Sequence, residues 1–213
     1  MNNYYLAFRQ IKYENRAFWR NPPAAFFTFI LPIMFLVIFN LIFGKNDFEL
    51  TGGITHTSTF YVPSIIALSV VSACYTNIAM GLSFSRDQGL LKRIRGTPLP
   101  TWAFIFGRIA NTSIVAILLV TIIMLIGTIF YDVNIPRSTM PAMLVTLILG
   151  AGTFCSLGIA ITILVPNADA APAIINASIL PLLFISDVFI PMQDAPSWLN
   201  GFTTILPVKP FSE

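Results

Sequence analysis

The chain has 213 residues, 56% hydrophobic and only 10% charged, with a mean hydropathy of +0.80. Water-soluble domains carry roughly a quarter charged residues, so this composition excludes an ordinary soluble fold and makes lipid the main solvent. The net charge of +3 and pI near 9.0 do not point to nucleic acid, because the basic residues sit beside apolar runs, as topology signals do.

The first predicted element covers residues 1–20. Arg9, Lys12, Arg16 and Arg20 are spaced 3, 4 and 4 apart, one basic face of a helix. Tyr4, Phe8, Ile11 and Phe18 fall on another face, with Trp19 beside them. That pattern predicts a helix lying in the membrane interface, basic toward headgroups and aromatic toward acyl chains. An unstructured basic flank is the alternative. Asn21-Pro22-Pro23 breaks the pattern, since proline lacks the N–H and restricts its neighbour.

Five apolar runs come next, at 24–43, 60–83, 103–130, 140–165 and 173–190. Each has about the twenty residues that a helix needs to cross the hydrocarbon. No cleavable leader is expected, because the first run starts late, is long and lacks a small-x-small cleavage site. Nine of the twelve Lys and Arg fall before the first run, between the second and third, or just inside the third. Lys45, Arg137 and Lys209 fall on the other side. The basic side is expected to be cytoplasmic, with the N-terminus inside and residues 44–59, 131–139 and 191–213 outside.

Between the second and third runs lies SFSRDQGLLKRIRGTPLP, residues 83–100. Leu91 and Ile94 share a helical face with Leu90 close by, while Lys92, Arg93 and Arg95 point elsewhere. Gly96 and Pro98 form a helix stop. The stretch 84–95 is therefore predicted as a short amphipathic cytoplasmic helix. Two readings stand. The charges pin topology and touch anionic lipid, or a cytoplasmic partner grips the helix.

Polar residues inside the runs are costly unless paired or facing a cavity. Ser69, Ser72, Thr76 and Ser83, with Asn77 adjacent, recur at helical spacing as one stripe that lines a pathway or glues helices together. Gly152, Ser156 and Ala160 form a small-residue stripe expected to pack closely on another helix. Asn176 and Asp187 share a face of the fifth run, with Asp187 near its outer end. Cys74 and Cys155 both lie in apolar runs and read as packing residues. Chemistry-bearing constellations are missing from the sequence. His56 has no second histidine to share a metal, and no nucleophile motif or phosphate loop occurs, so no ATP site of its own and no resident cofactor are expected.

Three stretches carry a resemblance: FWRNPPAAFFTFILPIMFLVIFNLIFG (18–44), RDQGLLKRIRGTPLP (86–100) and ILPLLFISDVFIPMQDAPSWLNGFTTILPVKPF (179–211). In this order they resemble the membrane subunits of ABC-2 type exporters, the drug-resistance type included. The resemblance implies an all-α membrane protein, a polytopic helical bundle of usually six crossings, of which this chain holds five. It implies one ABC-2 type transmembrane domain over 1–213, C-terminally incomplete, since the sixth helix would start beyond Glu213. Residues 1–20 match the family's N-terminal connecting helix. Residues 84–100 match its coupling helix, which gives Arg86, Asp87, Leu90, Leu91, Lys92, Arg93, Ile94 and Arg95 the role of contacting an ATPase. Residues 191–210 match an outer re-entrant segment whose apolar side would be Trp198, Leu199 and Phe202.

The function expected from the resemblance is a permease subunit that exports an amphipathic substrate (a drug, a lipid or a polysaccharide precursor) across the bacterial plasma membrane. It would work as a homodimer or heterodimer of permeases, in contact with lipid, and ATP and Mg would be bound by a separate cytoplasmic ATPase. Ser69, Ser72, Thr76, Asn77, Asn176 and Asp187 are the candidate pathway residues. The alternative class is a non-transporting membrane scaffold or regulatory subunit. An ion-coupled carrier is disfavoured by the shortage of intramembrane acids.

Overall fold

In the computed structural model, residues 3–43, 47–50, 53–131 and 140–184 are described. The elements in chain order are α1 (Asn3–Trp19), α2 (Pro22–Phe43), β1 (Asp47–Leu50), β2 (Gly53–His56), α3 (Thr57–Val71), a π-helical turn (Ser72–Thr76), α4 (Asn77–Asp87), α5 (Leu90–Arg95), α6 (Thr101–Phe130), α7 (Met140–Ile161) and α8 (Ala171–Phe184). The fold is a polytopic helical bundle, as the composition required.

Among the described residues, four segments are long and apolar enough to cross a membrane: Pro22–Ile42, Val62–Asp87, Thr101–Phe130 and Pro141–Ile161. They match the first four apolar runs to within a few residues. The fifth run is helical as α8 over Ala171–Phe184, and the rest of it, Asp187 included, lies outside the described residues. Residues 191–210 lie outside them too. The 44–59 connection, expected as an outer loop, carries the two-stranded antiparallel hairpin β1–β2, with Asp47 opposite His56 and Leu50 opposite Gly53. Asp47-Phe48-Glu49-Leu50 alternates polar and apolar residues, the period-2 pattern of a strand at its minimum length.

The second span is the centre of the bundle. It is built from α3, the π turn and α4, and 61% of its apolar window is buried, against 22–33% for the other three. Around Val70, Val71 and Cys74 of this span pack Leu119 and Ile123 of α6, Phe154 and Cys155 of α7, Ile175 of α8 and Leu36 of α2. The outward faces are as apolar as the core: Leu41, Ile42, Ile129, Phe130 and Leu149 are all exposed. Such faces would aggregate in water and are at home against acyl chains.

Pro22 and Pro23 open α2, where their missing N–H groups are unneeded. The corner between α1 and α2 is filled by Trp19 stacked on Phe29, with ring centroids 5.8 Å apart. The helix predicted over 1–20 is observed as α1, Asn3–Trp19, and it is docked on the bundle. Tyr4 meets Trp102 edge-to-face, Gln10 covers Gly107, Glu14 pairs with Arg108 and Asn15 bonds Asn111. The pairs advance together, so α1 runs along the first three turns of α6 in the same direction. α6 has 30 residues, about 45 Å at 1.5 Å each, longer than the ~30 Å hydrocarbon.

Gly107 sets this contact. A Cβ there would lie 2.5 Å from Gln10 Cγ and 2.9 Å from its Cβ. Gly107→Val should lift α1 from α6. With overpacking costs of about 1–3 kcal/mol, hydrogen exchange in α1 should speed up by about 5- to 150-fold. Unchanged exchange across 3–19 would show that this contact does not hold α1.

Candidate coupling site at the α5 end of the bundle

Four helices converge where α5 sits. α4 ends at Asp87, and the helix predicted as continuous over 84–95 is interrupted at Gln88 and Gly89. Gly89 has φ +70°, the left-handed region where an L side chain is strained. It redirects the chain into α5, which is therefore only Leu90–Arg95. Thr97 Oγ1 donates to Ile94 O at 2.7 Å and closes the far end. None of the six α5 residues is buried. Leu91 and Ile94 are half-buried, and Leu90, Lys92, Arg93 and Arg95 are exposed. The result is a small projecting helix with apolar and cationic side chains and few contacts to its own chain.

Arg86 behaves differently from the other basic residues of the stretch. Its Nη1 donates to Thr162 O at 3.0 Å and its Nη2 to Val165 O. These carbonyls lie just past α7, where residues 162–165 are wound by i→i−3 bonds such as Thr162 N to Ile159 O, 3.2 Å. A guanidinium there adds a charged donor to the last carbonyls, Thr162 O already accepting from Val165 N at 3.3 Å, and complements the negative end of the helix dipole. Asp87 is exposed beside it.

A second polar cluster joins α1, α4 and α6. Arg108 Nε lies 3.4 Å from Glu14 Oε1, and both side chains are largely buried at 17% and 15% exposure. Arg108 Nη2 donates to Ser85 Oγ at 2.7 Å, and the guanidinium lies over Phe104, 4.9 Å from its centroid. Gln10 Nε2 donates to the same Glu14 oxygen at 2.9 Å. Asn15 Nδ2 donates to Asn111 Oδ1 at 3.2 Å. Next to this cluster is a cavity of about 150 Å³, lined on its polar side by Glu14, Asn77, Arg108, Asn111 and Thr112. Arg9, Lys12, Arg16 and Arg20 face away from α6 and are exposed, with Arg9 over the Tyr5 ring.

The pathway candidates are spread over different surroundings. Ser69 is fully buried and donates to Ile65 O. Ser83 is buried too, with no partner for its hydroxyl among the described residues. Ser72 and Thr76 are half-buried in the π turn, and Asn77, just after it, is exposed on the cavity. A single stripe through these residues requires an unbroken 3.6-residue period. A π turn takes up about one extra residue and rotates the helix beyond it by about 100°, so the stripe is split. Asn176 is exposed on α8.

The small-residue stripe is also displaced. Ser156 and Ala160 are exposed, and a Cβ at Gly152 would meet nothing within 4 Å. The close approach is made by Gly158, where a Cβ would lie 2.7 Å from Tyr75 O in the π turn. Tyr75 then reaches α8, with its hydroxyl 2.6 Å from Ser178 Oγ. No motif or spacing in the sequence singles out Glu14, Ser85, Gly158 or the pairing of Arg108. An arginine inside the start of an apolar run was the available signal, since such a charge demands a partner.

The chain belongs to the ABC-2 type transporter family, whose family model matches residues 6–213. Among similar proteins is one named as a transport permease, ycf38, of Cyanophora paradoxa. It is 27% identical over 194 residues, covering 89% of this chain and 65% of the relative. One named as a multidrug ABC transporter permease, YbhR, of Escherichia coli K12 is 25% identical, covering 72% of this chain and 42% of its own length. One named as a doxorubicin resistance ABC transporter permease, DrrC, of Mycobacterium tuberculosis H37Rv is 28% identical, covering 84% and 64%. The chain thus spans less than two thirds of each of these relatives. No solved structure matches it significantly.

Proposed function

We propose that this chain is the permease subunit of an ATP-driven exporter in the plasma membrane, with its α5 end in the cytoplasm. A separate cytoplasmic ATPase grips α5 and supplies the ATP and Mg site. Two permeases pair, as a homodimer or heterodimer, and move an amphipathic substrate by alternating access. The observation that carries this reading is α5 itself: Lys92, Arg93 and Arg95 are exposed, Leu91 and Ile94 are half-covered, and Gly89 connects them directly to the central span. The orientation is supported by the basic residues of α1 and α5, which outnumber those at the other end. Relatives named for multidrug and doxorubicin resistance support a drug or other amphiphile as cargo. Of the pathway candidates, Ser72, Thr76, Asn77 and Asn176 retain open surface and are the lining residues we favour.

The test is co-purification from mild detergent. Wild type should bring down an ATPase with a phosphate loop, and Leu91→Asp with Ile94→Asp should insert normally and lose it. If wild type carries no ATPase under conditions that preserve other such complexes, the scaffold reading replaces this one.

A further inference from the structure

The last turn of α4 is tied in two directions by two arginines. On one side Ser85 Oγ accepts from Arg108 Nη2, whose Nε pairs with Glu14 Oε1, and so α4, α6 and α1 share one run of charge-assisted bonds. Ser85 also donates to Gly81 O at 2.6 Å, which fixes its hydroxyl on α4. On the other side the neighbouring residue, Arg86, holds Thr162 O and Val165 O past the end of α7. Three residues further on, Gly89 turns the chain into α5, which buries nothing.

This arrangement has a mechanical consequence. α5 is anchored mainly through α4, so a push on it enters the bundle at Ser85 and Arg86. The planar, multidonor guanidinium is suited to hold two partners at fixed angles, which a lysine ammonium on a flexible stem is not. Bonds made by charged donors in partly buried surroundings also resist exchange with water better than neutral ones. We propose that Arg108 and Arg86 are positioning residues that make the last turn of α4 a rigid three-way junction, carrying a displacement of α5 to α1 and α6 through one arginine and to the end of α7 through the other. The proposal rests on the coupling role given to α5 above. It removes Arg86 from the set that touches the ATPase and gives α1 a defined route into the stroke. Neither arginine is assigned any contact with substrate.

The test uses the permease with its co-purifying ATPase in nanodiscs, spin-labelled at Pro98→Cys just past α5, outside the proposed grip, and, in turn, at Lys12→Cys on α1 or Ile163→Cys past α7. All three positions are exposed, and Cys74 and Cys155 are replaced by alanine. In wild type both label pairs should keep one narrow distance distribution with and without ATP-vanadate trapping, because the junction moves as a unit. Arg108→Gln should split or broaden the Lys12 pair on trapping and leave the Ile163 pair alone. Arg86→Gln should do the reverse. Arg108→Lys, which keeps the charge but not the fork that holds Glu14 and Ser85 together, should behave like Arg108→Gln. Wild-type distances in both glutamine variants would overturn the junction. So would broadening of both pairs already present without nucleotide, which marks a purely structural role. If wild type brings no ATPase into the nanodisc, the permease reading itself fails, and the junction falls with it for want of a stroke to carry.

Discussion

Gly158→Ala is expected to lower the melting temperature of the detergent-solubilised protein by about 2–12 °C. The new methyl would sit 2.7 Å from Tyr75 O, and 3.3 and 3.4 Å from Tyr75 Cα and C. All three are backbone atoms, so no rotamer change relieves the clash. Either α7 moves off the central span or the π turn rearranges, and the latter pulls Tyr75 away from Ser178. Overpacking of this kind costs about 1–3 kcal/mol, and 1 kcal/mol moves the midpoint by about 2–4 °C in a chain of this size. Valine at 158 should act more strongly and depress yield. Gly152→Ala is the internal control. It lies on the same helix, its added methyl meets nothing within 4 Å, and the alanine favours the helix. It should melt at or above wild type. If the two alanines melt alike, the approach of Gly158 to the π turn is not what holds α7 in place.

That contrast also shows what lipid does to a sequence signal. The spans were legible because the bilayer sets both their length and their composition. Runs at 24–43 and 103–130 became Pro22–Ile42 and Thr101–Phe130. Which face of a span turns inward was not legible. Lipid and protein core are equally apolar, so the periodicity that separates inside from outside in water is absent here. Gly152 and Gly158 look the same in sequence, yet only Gly158 meets the π turn. Hydroxyls mislead for a related reason. Ser69, Ser113, Thr121, Thr146, Thr153 and Ser156 all donate to a carbonyl one turn back, so they are satisfied without any partner helix or pathway.

The α5 site was half legible. Gly96 and Pro98 marked its end, and the mix of Leu91, Ile94 and three cations marked it as a short amphipathic helix. The break at Gly89 was missed because one glycine in a helical pattern is usually tolerated. Arg86 was grouped with Lys92, Arg93 and Arg95 because they are close in sequence. Its acceptors at Thr162 and Val165 are more than seventy residues away, and no spacing rule reaches that far.

Reversing Lys92, Arg93 and Arg95 to Glu should release the proposed ATPase, weakening its association by about 30- to 1,000-fold at low salt. Each cation is exposed, so each attractive contact contributes only about 0.2–1 kcal/mol. Reversal replaces three such attractions by three repulsions, which puts the total near 2–4 kcal/mol, and each 1.4 kcal/mol is tenfold. The loss should shrink at high salt, because charges in water are screened beyond about 10 Å at 0.1 M. The Leu91→Asp, Ile94→Asp loss should persist there, since it removes apolar contact. Insertion should survive the reversal. Arg9, Lys12, Arg16, Arg20, Arg86 and Arg108 still give the α5 end the larger share of cations, and acidic residues weigh little in setting orientation. A reporter fused after residue 131 checks that the orientation is unchanged. With orientation kept, retention of the ATPase at every salt concentration would make the three cations ordinary lipid-facing flank, and the grip would have to lie on Leu90, Leu91 and Ile94 alone.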